Sequence, residues 1–217
     1  LTLALRALRL PPRSNVLIPG LTFIATAQAV LAAGHEPVLA DVAPDTWQLT
    51  PEEAADALND GSLDIAEVVP VAAYGLAVPV GEWHAIARRV PVVIDAAGAL
   101  YDQLIGPCTV AFSMHATKAL GCGEGGIVAS NNASIIRHIE EMRAFGHGGE
   151  NAKLDEYRAA VALAGQRRKK RDWRGPLMDA YLAHMPAGCR VQAGGQTHRT
   201  MLPVMLPTAQ ALGIDPV

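Results

Sequence analysis

The sequence predicts an α/β fold of three layers, with a mainly parallel sheet flanked by helices, followed by the start of a small C-terminal domain. Two observations carry that expectation. Short apolar runs of strand length alternate with segments whose apolar residues recur at helical spacing, the order that a parallel sheet covered on both faces requires. The composition also permits a substantial core: 217 residues, 50% hydrophobic and 18% charged, enough to bury roughly 70% of the extended surface.

The elements follow in order. Residues 1–10 have apolar side chains at helical spacing with Arg6 and Arg9 on the opposite face, and Pro11-Pro12 ends that helix. Val16-Leu-Ile18 is a strand, residues 24–33 a helix, 36–40 a strand and 51–58 a helix. A strand over 66–71, a helix over 81–89 and a strand over 91–94 continue the alternation. Strands over 109–112 and 126–129 and a helix over 133–145 complete a large domain spanning 1–150. Beyond it, 151–174 reads as a long connecting helix, and 186–217, rich in Gly and Pro, as a small domain that stops early, so that 151–217 forms the second unit.

Composition excludes several classes of function. A net charge of −3 gives no electrostatic reason to expect nucleic acid or an anionic membrane surface. The basic run Arg167-Arg-Lys-Lys-Arg171 is read as a solvated helix face. No apolar run approaches the roughly 20 residues needed to span a bilayer, and no signal peptide is visible. Three cysteines, Cys108, Cys122 and Cys189, are odd in number and lack zinc-type spacing, which points to reduced thiols in the cytoplasm and to no metal site.

The chemistry concentrates between residues 92 and 126. Asp95 ends an apolar strand, Ser113 ends the next, and Lys118 lies five residues further on, ahead of glycines at 121, 123, 125 and 126. Taken singly these residues are ordinary, since an Asp after a strand is commonly a turn former or helix cap and a Lys near glycines commonly a surface residue. Together they are the parts needed to hold pyridoxal 5'-phosphate. A carboxylate keeps the cofactor's ring nitrogen protonated, a lysine amine carries its aldehyde, and a hydroxyl with backbone donors anchors its phosphate. Asp95, Lys118 and Ser113 are the respective candidates. The dense glycines imply positive φ angles or close backbone approach around the lysine.

With these motifs in place, the chain resembles the DegT/DnrJ/EryC1/StrS family of sugar aminotransferases, a branch of the fold type I pyridoxal phosphate enzymes. The likeness runs from about Leu3 to about Ala164. It includes Pro19-Gly-Leu-Thr-Phe23-Ile-Ala-Thr26, Pro37-Val-Leu-Ala-Asp41-Val, Pro70-Val-Ala-Ala-Tyr-Gly75, Asp95-Ala-Ala, Ser113-x-His-Ala-Thr-Lys118 with Glu124-Gly-Gly126, and Asn151-Ala-Lys-Leu-Asp-Glu156. The resemblance implies that residues 1–150 are the fold type I large domain, that Lys118 is the catalytic lysine, and that Asp95 and Ser113 bind the cofactor. It implies that Phe23 stacks on the cofactor ring, and that Asn151 reaches the phosphate of a neighbouring subunit in a homodimer with shared active sites. The activity implied is transfer of an amino group from glutamate or a similar amino acid to a nucleotide-linked keto sugar.

Two departures stand out. Gly98 occupies a position where many family members carry Gln or His after Asp-Ala-Ala, and Ala72 stands where a histidine is common before Leu-Tyr-Gly. Family members also carry an upstream Gly-Thr or Gly-Ser turn that donates to the phosphate, and none precedes Leu1. The chain is therefore expected to be a fragment that retains the lysine but holds cofactor weakly or not at all by itself. Two other classes stay open: a sugar dehydratase, disfavoured because that branch replaces the lysine with histidine, and a non-catalytic regulatory or partner-binding relative.

Overall fold

A computed structural model describes residues 1–145, 151–167, 174–194 and 201–206. Three parallel strands come first: β1 (Asn15–Pro19) pairs with β2 (Glu36–Ala40) on one side and β3 (Ile65–Val68) on the other. Strand β4 (Val93–Asp95) pairs in parallel with β5 (Thr109–Ser113), which pairs antiparallel with β6 (Gly126–Ser130). Parallel bridges Val68 to Val92 and Val71 to Asp95 join the two sets into one sheet of order β2-β1-β3-β4-β5-β6. Pro37 is tolerated within β2 because that strand lies at the edge, where a missing N–H breaks no ladder.

Helices cover both faces. On one, α1 (Thr2–Ala7), α2 (Ile24–Ala33) and α5 (Ala133–Arg143) bury Leu5, Val30 and Ile139 against Val16, Ile18, Val69 and Val93. On the other, α3 (Pro51–Asp60) and α4 (His84–Ala87) bury Ala54, Trp83 and Ile86 against Leu17, Val68, Ile94 and Val110. Each fully buried aliphatic or aromatic side chain contributes about 1.5–3 kcal/mol, so these two clusters hold the three layers together. The α3 boundary has a clear local cause. Thr50 and Glu53 form a reciprocal capping box ahead of Pro51.

The expected alternation is found, with differences that have physical reasons. The helix expected over 81–89 shrinks to α4, because Glu82 and Trp83 donate three residues back, to Pro79 and Val80, in tight turns. The strand expected over 66–71 is regular only to Val68: Pro70, with no N–H to offer, interrupts the pairing with β4, which resumes at the Val71 bridge to Asp95. Beyond the large domain, α6 (Glu156–Arg167) starts five residues later than the expected long helix, and residues 168–173, with most of the basic run, lie outside the described residues. Helix α7 (Arg174–Ala183) and a short antiparallel pair, β7 (Arg190–Val191) with β8 (Val204–Met205), are the regular elements described beyond α6.

Candidate active site

The carboxyl ends of β1, β3, β4 and β5 form one rim, and side-chain alternation decides what faces it. Val93 packs under α1 and α2 whereas Ile94 packs under α3 and α4, so Asp95 returns to the α1/α2 face. On β5, Val110 packs on the α3/α4 side, which turns Ala111 and Ser113 to the same face as Asp95. Asp95 and Ala111 are direct partners in the ladder. Two expected site residues thus share one face on neighbouring strands.

Asp95 is held firmly. Its Oδ2 accepts from the Thr26 hydroxyl at 2.8 Å, its Oδ1 accepts from the Ala97 N–H at 3.2 Å, and its backbone pairs with Pro70 and Ala72. Thr26 is 1% exposed and its hydroxyl also lies 2.8 Å from that of Thr22. Each carboxylate oxygen retains capacity for a further donor. Phe23, the N-cap residue of α2, sits one helical turn before Thr26 and is 79% exposed, an uncommon position for a large aromatic.

Lys118 crowns the β5–β6 hairpin. Pairing continues past the strands, with Met114 donating to Gly125 at 2.8 Å and Ala116 to Gly123 at 2.8 Å, and Lys118 closes a turn onto the His115 carbonyl at 2.9 Å. His115 is itself fixed by Thr117 Oγ1 at 3.0 Å and by Glu124 at 3.5 Å. The turn is as tight as the glycines suggested: a Cβ on Gly121 would lie 2.4 Å from the Ala116 oxygen. Half-buried Lys118 makes no side-chain hydrogen bond or ion pair within the described residues. Ser113 Oγ accepts from the His115 N–H at 3.2 Å, which ties the strand end to this turn.

Asn151 is exposed, and its neighbour Ala152 donates to the Arg143 carbonyl at the end of α5 at 3.2 Å. Gly98 sits where a Cβ would come 3.1 Å from the Gly75 nitrogen and 3.2 Å from its Cα, so the 72–76 turn occupies the space a side chain would need. Tyr74 in that turn has φ +55° and meets Trp47 edge-on, ring centroids 6.0 Å apart. Sequence reasoning missed Thr26 as the residue that orients the carboxylate. The signal was its i, i+4 spacing from Thr22 across a helix start. A cavity of about 740 Å³ is lined by Leu177, Tyr181, Met185, Cys189, Val204, Leu206 and their neighbours. No residue of the rim contributes to it.

A family model for the DegT/DnrJ/EryC1/StrS aminotransferase family matches residues 1–211. Over 233 residues the chain is 30% identical to the L-glutamine:2-deoxy-scyllo-inosose aminotransferase of Micromonospora echinospora, a match covering 92% of this chain and 55% of that protein. Over 174 residues it is 32% identical to the UDP-2-acetamido-2-deoxy-3-oxo-D-glucuronate aminotransferase of Pseudomonas aeruginosa, covering 72% and 48%. The crystal structure of DesI in the presence of its TDP-sugar product superposes with a TM-score of 0.81 at 28% identity, covering 98% of this chain and 58% of that one. The chain spans about half the length of the curated relatives it matches.

Proposed function

The chain belongs to the DegT/DnrJ/EryC1/StrS aminotransferase family, and from that premise we propose that it carries the cofactor centre of a pyridoxal 5'-phosphate-dependent aminotransferase. The acceptor we assign is a nucleotide-linked keto sugar and the donor glutamate or a similar amino acid. Two of the similar proteins, one named for a UDP-linked 3-oxo sugar acid and one solved with its TDP-sugar product, support the acceptor class. The inosose enzyme widens it to keto cyclitols.

One observation carries the reading. A carboxylate oriented by Thr26 and by the Ala97 N–H, with acceptor capacity to spare, stands at the same carboxyl edge of the sheet as the hairpin that presents a lysine with no side-chain partner among the described residues. Pyridoxal 5'-phosphate, when bound, supplies an electron sink for chemistry at an amino carbon. Asp95 would accept a hydrogen bond from the ring N–H and so keep that nitrogen protonated. Lys118 would hold the cofactor through its Nζ and, when the donor amine takes its place, move the proton at that atom as base and then as acid. Ser113 would donate its hydroxyl to the phosphate, and exposed Phe23 would cover one ring face, worth ~0.5–1.5 kcal/mol beyond its buried area.

The same reading divides the protein at about residue 150 into a cofactor domain and the opening of a small domain. It makes the active unit a homodimer in which Asn151 reaches the partner's cofactor. It also places the enzyme in the cytoplasm, in agreement with three free cysteines. Among the described residues no helix is long and apolar enough to cross a membrane and no cluster has the makings of a metal site. Borohydride reduction of the chain saturated with pyridoxal 5'-phosphate, followed by peptide mapping, should place the pyridoxyl label on Lys118, and Lys118→Ala should remove it. Labelling at another lysine, or none at saturation, would sink the assignment.

A further inference from the structure

The opening of the small domain does not merely follow the large one. Residues 190–194 lie along the loop after β2 and make a series of bonds to it: the Arg190 guanidinium donates to the Pro44 carbonyl at 2.7 Å and the Ala193 N–H to the Asp45 carbonyl at 2.8 Å. Between them Gln192 is 2% exposed, and its Nε2 donates to both Thr46 O at 2.6 Å and Ala73 O at 3.1 Å. Gly194, at φ +108°, approaches so closely that a Cβ there would lie 2.7 Å from Leu76 Cδ1.

The second carbonyl is the informative one. Ala73 opens the turn that ends in Gly75, and this turn stands on Asp95: Ala72 N–H donates to the Asp95 carbonyl at 2.9 Å, while Gly75 packs against Gly98. Within it Tyr74 holds a left-handed conformation, which costs a non-glycine residue roughly 1 kcal/mol or more and persists only where surroundings impose it. Two buried glutamines impose it here. Gln48 donates to Val71 O at 3.3 Å and Leu76 O at 2.7 Å, gripping the turn at its two ends, and Gln192 grips its middle.

We infer that Gln192 is a positioning residue: through its buried bond to Ala73 it fixes the Ala72–Leu76 turn against Asp95 and Gly98, and thereby couples the seating of the small domain to the geometry of the cofactor carboxylate. The inference rests on the proposed cofactor site for its functional half only. A side chain that satisfied Thr46 alone would secure the small domain; the bond to Ala73 extends its reach to the rim.

The test uses the full chain and Gln192→Met, which keeps the length and volume but has no N–H to donate. Arg190→Ala is the control, because it removes the neighbouring bond to Pro44 without touching the turn. Amide hydrogen exchange at Ala72, Gly75 and Ala96 should rise about tenfold or more in Gln192→Met, the effect expected when the turn loses a buried donor and the Ala73 carbonyl keeps only the Leu76 N–H, and stay unchanged in Arg190→Ala. Affinity for pyridoxal 5'-phosphate should fall about tenfold in the first and not in the second. Gln192→Asn, one methylene shorter and able to reach one carbonyl, should lie between them. Faster exchange confined to residues 44–48 and 190–194 would overturn the coupling, as would equal effects from Arg190→Ala. If the unsubstituted chain takes up no cofactor at any concentration, the proposed function fails, and the exchange comparison still decides on the clamp.

Discussion

Replacing Thr26 by Val tests whether the carboxylate at the end of β4 is held by a hydroxyl or merely placed by its strand. The Thr26 hydroxyl is at 2.8 Å from Asp95 Oδ2, in a side chain only 1% exposed, and a second hydroxyl from Thr22 stands 2.8 Å behind it. A hydrogen bond to an ionised group contributes about 1.5–3 kcal/mol when desolvated, and half-buried Asp95 calls for the lower end. A double-mutant cycle of Thr26→Val, Asp95→Ala and the double variant, followed by urea unfolding, isolates the pair. The coupling should be ~1–1.5 kcal/mol and needs no bound cofactor to be seen. Asp95→Ala alone should cost less than the loss of an isolated bond, because Thr22 remains as a partner for the freed hydroxyl. In the presence of pyridoxal 5'-phosphate, Thr26→Val should weaken binding by roughly tenfold, the equivalent of ~1.4 kcal/mol. Additivity of the two substitutions within ~0.5 kcal/mol would refute the idea that the threonine orients the carboxylate.

Other consequences are open to equally direct measurement. Glu67 on β3 is fully buried, neither carboxylate oxygen has a partner among the described residues, and desolvation pushes its pKa well above the usual 4.5, which favours the neutral acid. With the folded value raised, the contribution of this group is fully present below pH 4.5 and is lost as pH rises towards the folded value. Glu67→Leu should therefore stabilise the chain at neutral pH by about 1–3 kcal/mol, with the gain shrinking in acid; a variant less stable than the parent at pH 7 would contradict this. Gly121→Ala forces a Cβ to 2.4 Å from the Ala116 backbone oxygen, and the hairpin tip must deform. Borohydride labelling of Lys118 should fall severalfold while the thermal midpoint drops by only a few degrees. Burial raises the Cys108 thiol to about 11, so it should resist iodoacetamide at pH 8 in the folded chain and react on unfolding, and modification in native conditions would argue against a sealed core.

The sequence revealed most where one local signal sufficed. Helix α2 begins and ends where its pattern placed it, stopped by Gly34 at φ +90°, and β2 coincides with its expected range. Glycines around Lys118 declared a tight turn, and the structure shows why at Gly121. What the sequence concealed were partners distant along the chain. Thr26 reads as one more helix residue until the sheet brings Asp95, 69 positions away, to its hydroxyl. Gln192 reads as part of a Gly-rich tail until it bonds Thr46 and Ala73, 146 and 119 positions away. Periodicity records which face a side chain takes, and it carries no record of which backbone carbonyl will need that side chain as a donor.

The same reasoning recasts Gly98, which looked like a lost polar contact. In the folded chain the 72–76 turn already stands in that space, with the Gly75 nitrogen 3.1 Å from where a Cβ would be. A glutamine or histidine at 98 would have to push that backbone back by a few tenths of an ångström, against a turn that Ala72 ties to Asp95 and Gln192 ties at Ala73. Gly98, Gly75 and the two gripping glutamines therefore make one arrangement, in which backbone packing takes the place of a side chain beside the carboxylate. Gly98→Gln should for that reason fail to restore any polar contact and instead destabilise the chain by about 1–3 kcal/mol, the usual cost of forcing volume into a filled site. A Gly98→Gln chain as stable as the parent, with tighter cofactor binding, would show that the turn yields freely and that its fixation by Gln48 and Gln192 is without consequence.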